Sequence, residues 1–590
     1  MPGNPLQLGS LVGQGRKITL PASARERHMY VCGGTGVGKS KFLESCIQQD
    51  IINWRDSRCG LLLLDPHGLV YQNIMAWLAR HGLKRPIVPI DLRRDDWIIS
   101  YNLLRQRAAG NSAVIVSDFV QALSYVWGSD GTDKTPLFER WATVILLTLY
   151  QNGCTIGDAM HLLSRHDLRR SMSARMTDPT ARQAWQFAER NPKEFENQIG
   201  STLNRFRRLV GPDIMKATFG QSDVSLDLLT ALDEGQIILV NLSTEGGQIS
   251  DENAKTFATL FLSDLWAAAK TRGKQERDKM RPFYVYIDEC QKFITPTIAD
   301  NLDQARGFGL HLTLANQYPK RLINAGPHGQ AMYDSIIANA GNKIVFRLEH
   351  PDDAESLAKW LFMNTFDTDE IKLKLDSTKV VGYREEIRES RTVGRSTTDA
   401  SGNTTGGGTN SSYAAGEGAN GSQNFRGDDL TADPMASAAG WNSYVVNASG
   451  DNDSWSTSDS HAETESESTT QSTVLVPIMG KETSSVQYRT IEEQIFRAMQ
   501  TLFDREDRHF VIRFHGGPKA PLCVKTPTVP PPGTKEQRVE MYRQSLLKEL
   551  PYAMPMPQAA ERMAQREEKL VSEIVRTPAD EPTTTRRRIR

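Results

Sequence analysis

Lys39 and Ser40 close the stretch GGTGVGKS, residues 33–40, where two side chains suited to gripping phosphate follow a run of glycines. The spacing fits G-x-x-x-x-G-K-[ST], and it falls between a strand pattern, HMYVCGG, and a helical pattern that starts at Lys39. In such a loop Gly33, Gly34, Thr35, Gly36, Val37 and Gly38 turn backbone N–H groups toward an anion, and the following helix adds its amino-terminal dipole. Lys39 then reaches β- and γ-phosphates, and the Ser40 hydroxyl ligates magnesium. The chemistry implied is binding of ATP with Mg2+.

A second pair of groups completes that chemistry. The run FYVYIDE, 283–289, is a buried strand pattern ending in two carboxylates. Asp288 is the expected magnesium residue, and Glu289 the expected general base that activates water. The next strand pattern, LHLTLANQ, ends at Gln317, whose carboxamide can contact both attacking water and γ-phosphate. Transition-state charge on the transferred phosphoryl group calls for a guanidinium. Two candidates carry one: Arg306 in DQARGFGL, and Arg205, beside Arg207 and Arg208, in STLNRFRRL. That basic helix face also suits nucleic-acid phosphates. Asp65 and His67 in DPHG stand at a strand end, but without further ligands at metal spacing they read as turn residues.

The elements that must hold these groups alternate. Continuous apolar runs at 60–68, 85–91, 236–243, 283–289, 310–317 and 342–349 are separated by helical patterns, which implies an α/β domain with a mostly parallel sheet. Residues 112–225 instead read as helix after helix, an all-α domain inserted between strands. The Ser/Gly/Asn/Thr-rich span 390–475 carries too little apolar surface to order itself and reads as a long disordered low-complexity insertion. The expected organisation is a turn-rich segment at 1–27, a nucleotide-binding domain at 28–111 and 226–389, and the two insertions. The same domain resumes at 476–530, before a helical piece and basic tail at 531–590.

With 70 Lys plus Arg against 71 Asp plus Glu in 590 residues, no global basic field announces a nucleic acid, although a local lining is not excluded. The six cysteines are scattered without a CxxC pair, and no apolar run approaches the roughly 20 residues that cross a bilayer. These features point to a cytoplasmic protein without a transmembrane segment of its own.

Taken in order, GGTGVGKS, LLLLDPHG, STLNRFRRL, ALDEGQIILVNLS, FYVYIDECQKF, DQARGFGLHLTLANQYPKRL and SVQYRTIEEQIFRAMQTL resemble the HerA/FtsK-type P-loop ATPases, and among them the type IV coupling proteins of conjugation and secretion. The resemblance implies a RecA-like motor with an all-α cargo domain, assembled as a homohexamer around DNA and working with a relaxase and secretion-channel components. It places the arginine finger, donated by a neighbouring subunit, at Arg306, where Gly307 stands in the position usually held by Lys; Arg205 is the second choice. Coupling proteins usually carry membrane anchors, so the implied location is cytoplasmic or peripheral at the inner membrane. Rival readings are a soluble HerA-like translocase feeding duplex DNA to a nuclease, and a nucleotide-gated cargo adaptor that pumps nothing.

Overall fold

The apolar runs lie side by side in a computed structural model that describes residues 3–105, 112–127, 135–276, 279–296, 299, 302–326, 328–398, 411–414, 446–449 and 462–576. In chain order the first strands are β1 (Leu6–Leu11), β2 (Lys17–Leu20), β3 (Met29–Cys32), β4 (Gly60–Asp65), β5 (Ile87–Asp91) and β6 (Trp97–Ile99). After the helical insert come β7 (Ile237–Asn241), β8 (Phe283–Ile287), β9 (Leu310–Asn316) and β10 (Asn342–Phe346). A second unit contributes β11 (Ile371–Thr398), β12 (Ser411–Ala414), β13 (Val446–Ser449) and β14 (Ala462–Tyr488). The chain then returns through β15 (His509–Arg513), β16 (Leu522–Lys525) and β17 (Ala553–Pro555).

Among the described residues, eleven strands form one sheet in the order β2-β1-β16-β15-β10-β3-β9-β8-β4-β7-β5. From β10 to β5 every neighbouring pair is parallel, and β15, β16, β1 and β2 extend the edge antiparallel. The mostly parallel α/β fold expected from the apolar runs is therefore present. Alternation along the strands feeds two cores: Leu62, Leu64, Ile238 and Val240 face one, and Leu61, Leu63, Ile237 and Leu239 face the other. Helices Lys39–Ser57 and Leu69–His81 pack on the second face.

Between β6 and β7 the chain is helical, with described helices Ser112–Trp127, Thr135–Gln151, Ala159–Ser164, His166–Ala174, Pro179–Arg190, Pro192–Val210 and Asp213–Phe219. Their apolar faces join the first core, so the insert is packed on the sheet domain and not tethered beside it. A closing segment braces both parts. Helix Glu536–Glu549 lies along Leu69–His81, where Arg538 Nε donates to Ala79 O at 3.0 Å, and β17 pairs with β6. Helix Met556–Arg576 then reaches the insert through Arg566 and Asp158, 2.8 Å apart.

Asp369–Arg489 forms a second unit, built on an antiparallel ribbon of β11 with β14 and a short pair of β12 with β13. This unit encloses the span 390–475 that was expected as an insertion. Main-chain pairing carries the ribbon through segments whose side chains, such as TESESTTQST, offer no apolar signal. The rest of the low-complexity span, and the basic end TTTRRRIR, lie outside the described residues.

One fully buried ion pair ties the glycine-loop helix to the sheet. Arg25 meets Asp50 through two hydrogen bonds of 2.8 Å, donates to the Tyr286 hydroxyl at 2.9 Å, and stacks over Tyr284 at 3.5 Å. Tyr286 in turn donates to Asp50 at 2.6 Å. Breaking such a pair strands a buried charge. Asp50→Ala is expected to cost about 3–5 kcal/mol in a urea titration, whereas joint replacement of Arg25 and Asp50 by apolar residues costs less.

Candidate functional site

Residues 33–40 follow β3 and wrap the amino terminus of helix Lys39–Ser57. Neighbouring strand ends hold the loop from three sides. Gly33 N–H donates to Gln317 O at 3.1 Å, just past β9, and Gly34 N–H to Arg347 O at 2.9 Å, just past β10. Val37 O accepts the Arg508 N–H at 2.8 Å, from the turn before β15. Gly36 and Gly38 have φ of 78° and 111°, which only glycine adopts readily, and Thr35 and Gly36 are exposed at the mouth. A Cβ on Gly33 would lie 2.5 Å from Phe346 Cβ. Phe346 is wedged against Phe42 and Phe510, with ring centroids 6.0 and 5.2 Å away, so it has little room to yield.

Lys39 is buried, and its Nζ donates to Gly33 O at 2.6 Å and Gly34 O at 2.8 Å. Its charge faces the end of β8. Burial pushes the Lys39 ammonium down from its ordinary range, while Asp288, Cys32 and Glu289 oppose that fall. Asp288 is itself buried. Burial, then Asp65, then Glu289 push its carboxyl up to about 7, and Lys39 acts against them. The three carboxylates and Lys39 thus occupy one desolvated pocket at the carboxyl ends of β4 and β8. Ser40 follows Lys39 at the first turn of the helix, half-buried.

Glu289 takes φ 47° and ψ 51°, a left-handed conformation uncommon for a side chain of its size. The bend ends β8 and leaves the carboxylate nearly buried. Glu289 Oε2 accepts from Gln291 Nε2 at 2.6 Å and lies 3.5 Å from Arg321 Nη1. Gln317 is half-buried, and its backbone carbonyl is fixed by the Gly33 bond, so this residue borders the glycine loop.

The two arginine candidates are elsewhere. Arg306 lies on helix Leu302–Gly307, which enters β9 at its amino end, and its Nη2 meets Glu26 Oε2 at 3.4 Å. The seven residues of β9 separate it from Gln317, a span of about 23 Å at ~3.3 Å per residue. Arg306 therefore cannot reach the pocket of its own chain. Arg205 is engaged within the insert, donating to Trp127 O and Ser201 Oγ at 3.1 Å each and stacking over Phe138 at 5.0 Å. It is not brought to the pocket, because its guanidinium bridges helices of the insert.

Three further residues border the pocket, of which Asp65 was read as a turn residue and Arg508 and Arg321 were given no role. Asp65 accepts the His67 and Tyr71 N–H groups at 3.0 and 2.9 Å, so it caps a turn while adding charge beside Asp288. Arg508 comes from beyond the low-complexity span, where nothing in the local pattern links it to the glycine loop. Arg321 follows Gln317 by four residues in NQYPKRL, and a basic residue in the first turn after a polar strand end was the available signal.

A family model described as the type IV secretion-system coupling protein DNA-binding domain matches residues 14–371. The chain belongs to this family. No curated protein matches it in sequence. Similar solved structures are distant in sequence. The conjugative coupling protein TrwBdeltaN70, in an unbound monoclinic form, is 12% identical, covering 89% of each chain with a TM-score of 0.44. TrwB in complex with ADP and Mg2+ is 16% identical over 60% of this chain and 82% of that one, with a TM-score of 0.39. VirB4 of Thermoanaerobacter pseudethanolicus is 16% identical over 62% of this chain and 88% of that one, with a TM-score of 0.41. These similarities are too slight to assign residue roles. Among the described residues no helix of this coupling-protein family member is long and apolar enough to cross a membrane.

The contact at Gly33 yields a test. Gly33→Ala is expected to cost about 1–3 kcal/mol in stability, since the methyl group must displace a packed Phe346. It should weaken a fluorescent ATP analogue by about tenfold or more in an equilibrium titration, because the loop can relieve the clash only by moving.

Proposed function

We propose that the chain is an ATP-driven motor of type IV secretion or conjugation, which moves DNA or a protein–DNA conjugate as a ring of identical subunits, with a relaxase and channel components as partners. One observation carries this reading. The glycine loop, Lys39 and the Asp288–Glu289 strand end share one desolvated pocket, while Arg306 stands at the opposite ends of the same strands. A finger so placed can serve only a neighbouring subunit, which makes assembly part of catalysis. Membership of the coupling-protein family supplies the substrate class.

The donor set fits magnesium. Ser40 offers a hydroxyl, and Asp288 sits among carboxylates whose mutual repulsion a cation relieves. Ser40 and Asp288 would hold the ion, which supplies charge neutralisation at the phosphates. Lys39 exchanges the carbonyls of Gly33 and Gly34 for β- and γ-phosphate oxygens. Glu289 accepts a proton from water. The water oxygen bonds to the γ-phosphorus as the bond to the β–γ bridging oxygen breaks, and ADP leaves with that electron pair. Gln317 orients the water, and Arg306 of the next subunit meets the charge that develops on the phosphoryl oxygens. DNA contacts in a central channel are made to phosphates and so weaken steeply with salt.

The test is turnover of the purified chain with and without single- and double-stranded DNA, at two salt concentrations. DNA should stimulate hydrolysis, and Glu289→Gln should reduce it by about 10²- to 10⁴-fold while nucleotide binding persists. Arg306→Ala and Lys39→Ala should each be inactive alone, yet regain part of the activity when mixed, because one variant donates the finger and the other the intact pocket. Turnover indifferent to DNA and to Glu289→Gln would overturn the reading.

A further inference from the structure

Arg321 is a cation at the exposed edge of the chain's own pocket, and the proposed chemistry so far has no use for it. It belongs to the short helix Pro319–Ile323, which begins two residues after Gln317. That segment is tied to the glycine loop and to the sheet. Gln317 O accepts from Gly33, Asn316 Nδ2 donates to Tyr318 O at 3.2 Å, and Lys320 N–H donates to Asp353 Oδ1 at 3.3 Å. The backbone under Arg321 is thus fixed, while its side chain is 40% exposed. The guanidinium lies over the Tyr318 ring at 5.1 Å and touches Glu289 Oε2 at 3.5 Å. Its charge also bears on Lys39, helping to push that ammonium down.

Two donors therefore converge on one oxygen of Glu289, the 2.6 Å bond from Gln291 and the longer contact from Arg321. A carboxylate so engaged is poorly placed to take a proton from water. The longer contact, made by the half-exposed partner, is the one that can be exchanged. A triphosphate bound beside Lys39 offers the same guanidinium a more highly charged acceptor of matching fork geometry.

We propose that Arg321 reads the γ-phosphate from within its own subunit: it pairs with Glu289 when the pocket lacks that phosphate and moves to the phosphate oxygens when they arrive, freeing Glu289 for water. The inference rests on Glu289 being the hydrolytic base. It separates Arg321 from Arg306, since Arg321 acts on its own pocket and Arg306 on the next. It also gives the base a resting partner, so that hydrolysis waits for a triphosphate.

The test compares Arg321→Ala and Arg321→Lys with the parent chain, titrating ADP and a non-hydrolysable ATP analogue with magnesium. Arg321→Ala should weaken the analogue by about tenfold and leave ADP within about twofold, and Arg321→Lys should keep part of the difference. Unchanged ADP affinity also shows that the variant is folded. Glu289→Gln, which removes the resting partner, should tighten the analogue by about fivefold, a gain that disappears when Arg321→Ala is added. In mixtures with Lys39→Ala, Arg321→Ala should gain no activity, whereas Arg306→Ala recovers. Equal losses for both nucleotides, no loss for either, or recovery of Arg321→Ala on mixing would overturn the inference. If the parent chain does not hydrolyse ATP, the proposed function falls; if it does and Arg321→Ala behaves as the parent, only the role of Arg321 falls.

Discussion

The pocket sets one ammonium among three buried carboxylates, and much of the surrounding structure follows from keeping that arrangement dry and in register. Asp65, Asp288 and Glu289 are almost inaccessible, as is Lys39. Isolated charges are not tolerated at such depth, so each group needs a partner or loses its charge. Asp65 takes backbone N–H groups, Lys39 takes two glycine carbonyls, and Asp288 takes the N–H of Glu289 at 3.0 Å. None of these partnerships matches charge with charge in full. The acidic side is arranged to receive positive charge and Lys39 to receive negative charge, which is the electrostatic form of a site for a metal-bound polyphosphate. Parallel strands are what make the arrangement possible. Adjacent β4 and β8 end at the same level, so Asp65 and Asp288 arrive together, and β3 and β9 bring the glycine loop and Gln317 to that same edge.

The same sheet polarity fixes where help must come from. Groups entering the strands at their amino ends, Glu26, His28 and Arg306, are a full strand length from the pocket. His28 receives the Leu312 N–H at 3.0 Å through Nδ1, and its Nε2 meets Leu302 O at 2.6 Å. It thereby joins the residue preceding β3 to the helix that carries Arg306. Burial holds this imidazole down to about 4, so it stays neutral and keeps its bridging role near neutral pH. The strand that leads into one subunit's glycine loop is therefore rigidly linked, at its far end, to the arginine proposed for the next subunit's pocket.

The parallel sheet, the glycine loop and the acidic strand end were legible because each is a local pattern: fully buried strands are written as continuous apolar runs, and the loop has fixed spacing. What was not legible depends on contacts across the chain. Arg205 looked as available as Arg306, since a sequence shows a guanidinium but not the Trp127 carbonyl and the Phe138 ring that engage it. Arg508 supports the loop from across the insertion, and Arg321 reaches Glu289 only because a tight turn after β9 folds back over the pocket. The ribbon escaped detection for a different reason. Its Ser-, Thr- and Glu-rich stretch TESESTTQST gives no hydrophobic period to read, although IKLKL at the start of β11 alternates.

How a mostly parallel sheet accepts an insertion between β10 and β15 can be read from its neck. Helices Pro351–Phe362 and Ile491–Phe503 flank the gap, and Leu348 N–H donates to Leu502 O at 3.2 Å. Asp367 and Gln494 then bond reciprocally, with Asp367 N–H donating to Gln494 Oε1 at 2.9 Å and Gln494 Nε2 to Asp367 O at 2.5 Å. Gln494 is buried, so this staple is shielded from water. It fixes the ends of the excursion before the ribbon begins, and loop closure costs grow only slowly with the length of chain enclosed. The neck thus brings the chain back toward β10, where β15 pairs antiparallel and Arg508 bonds to Val37. The glycine loop depends on residues some 470 positions away because the staple makes that distance irrelevant to the folded edge.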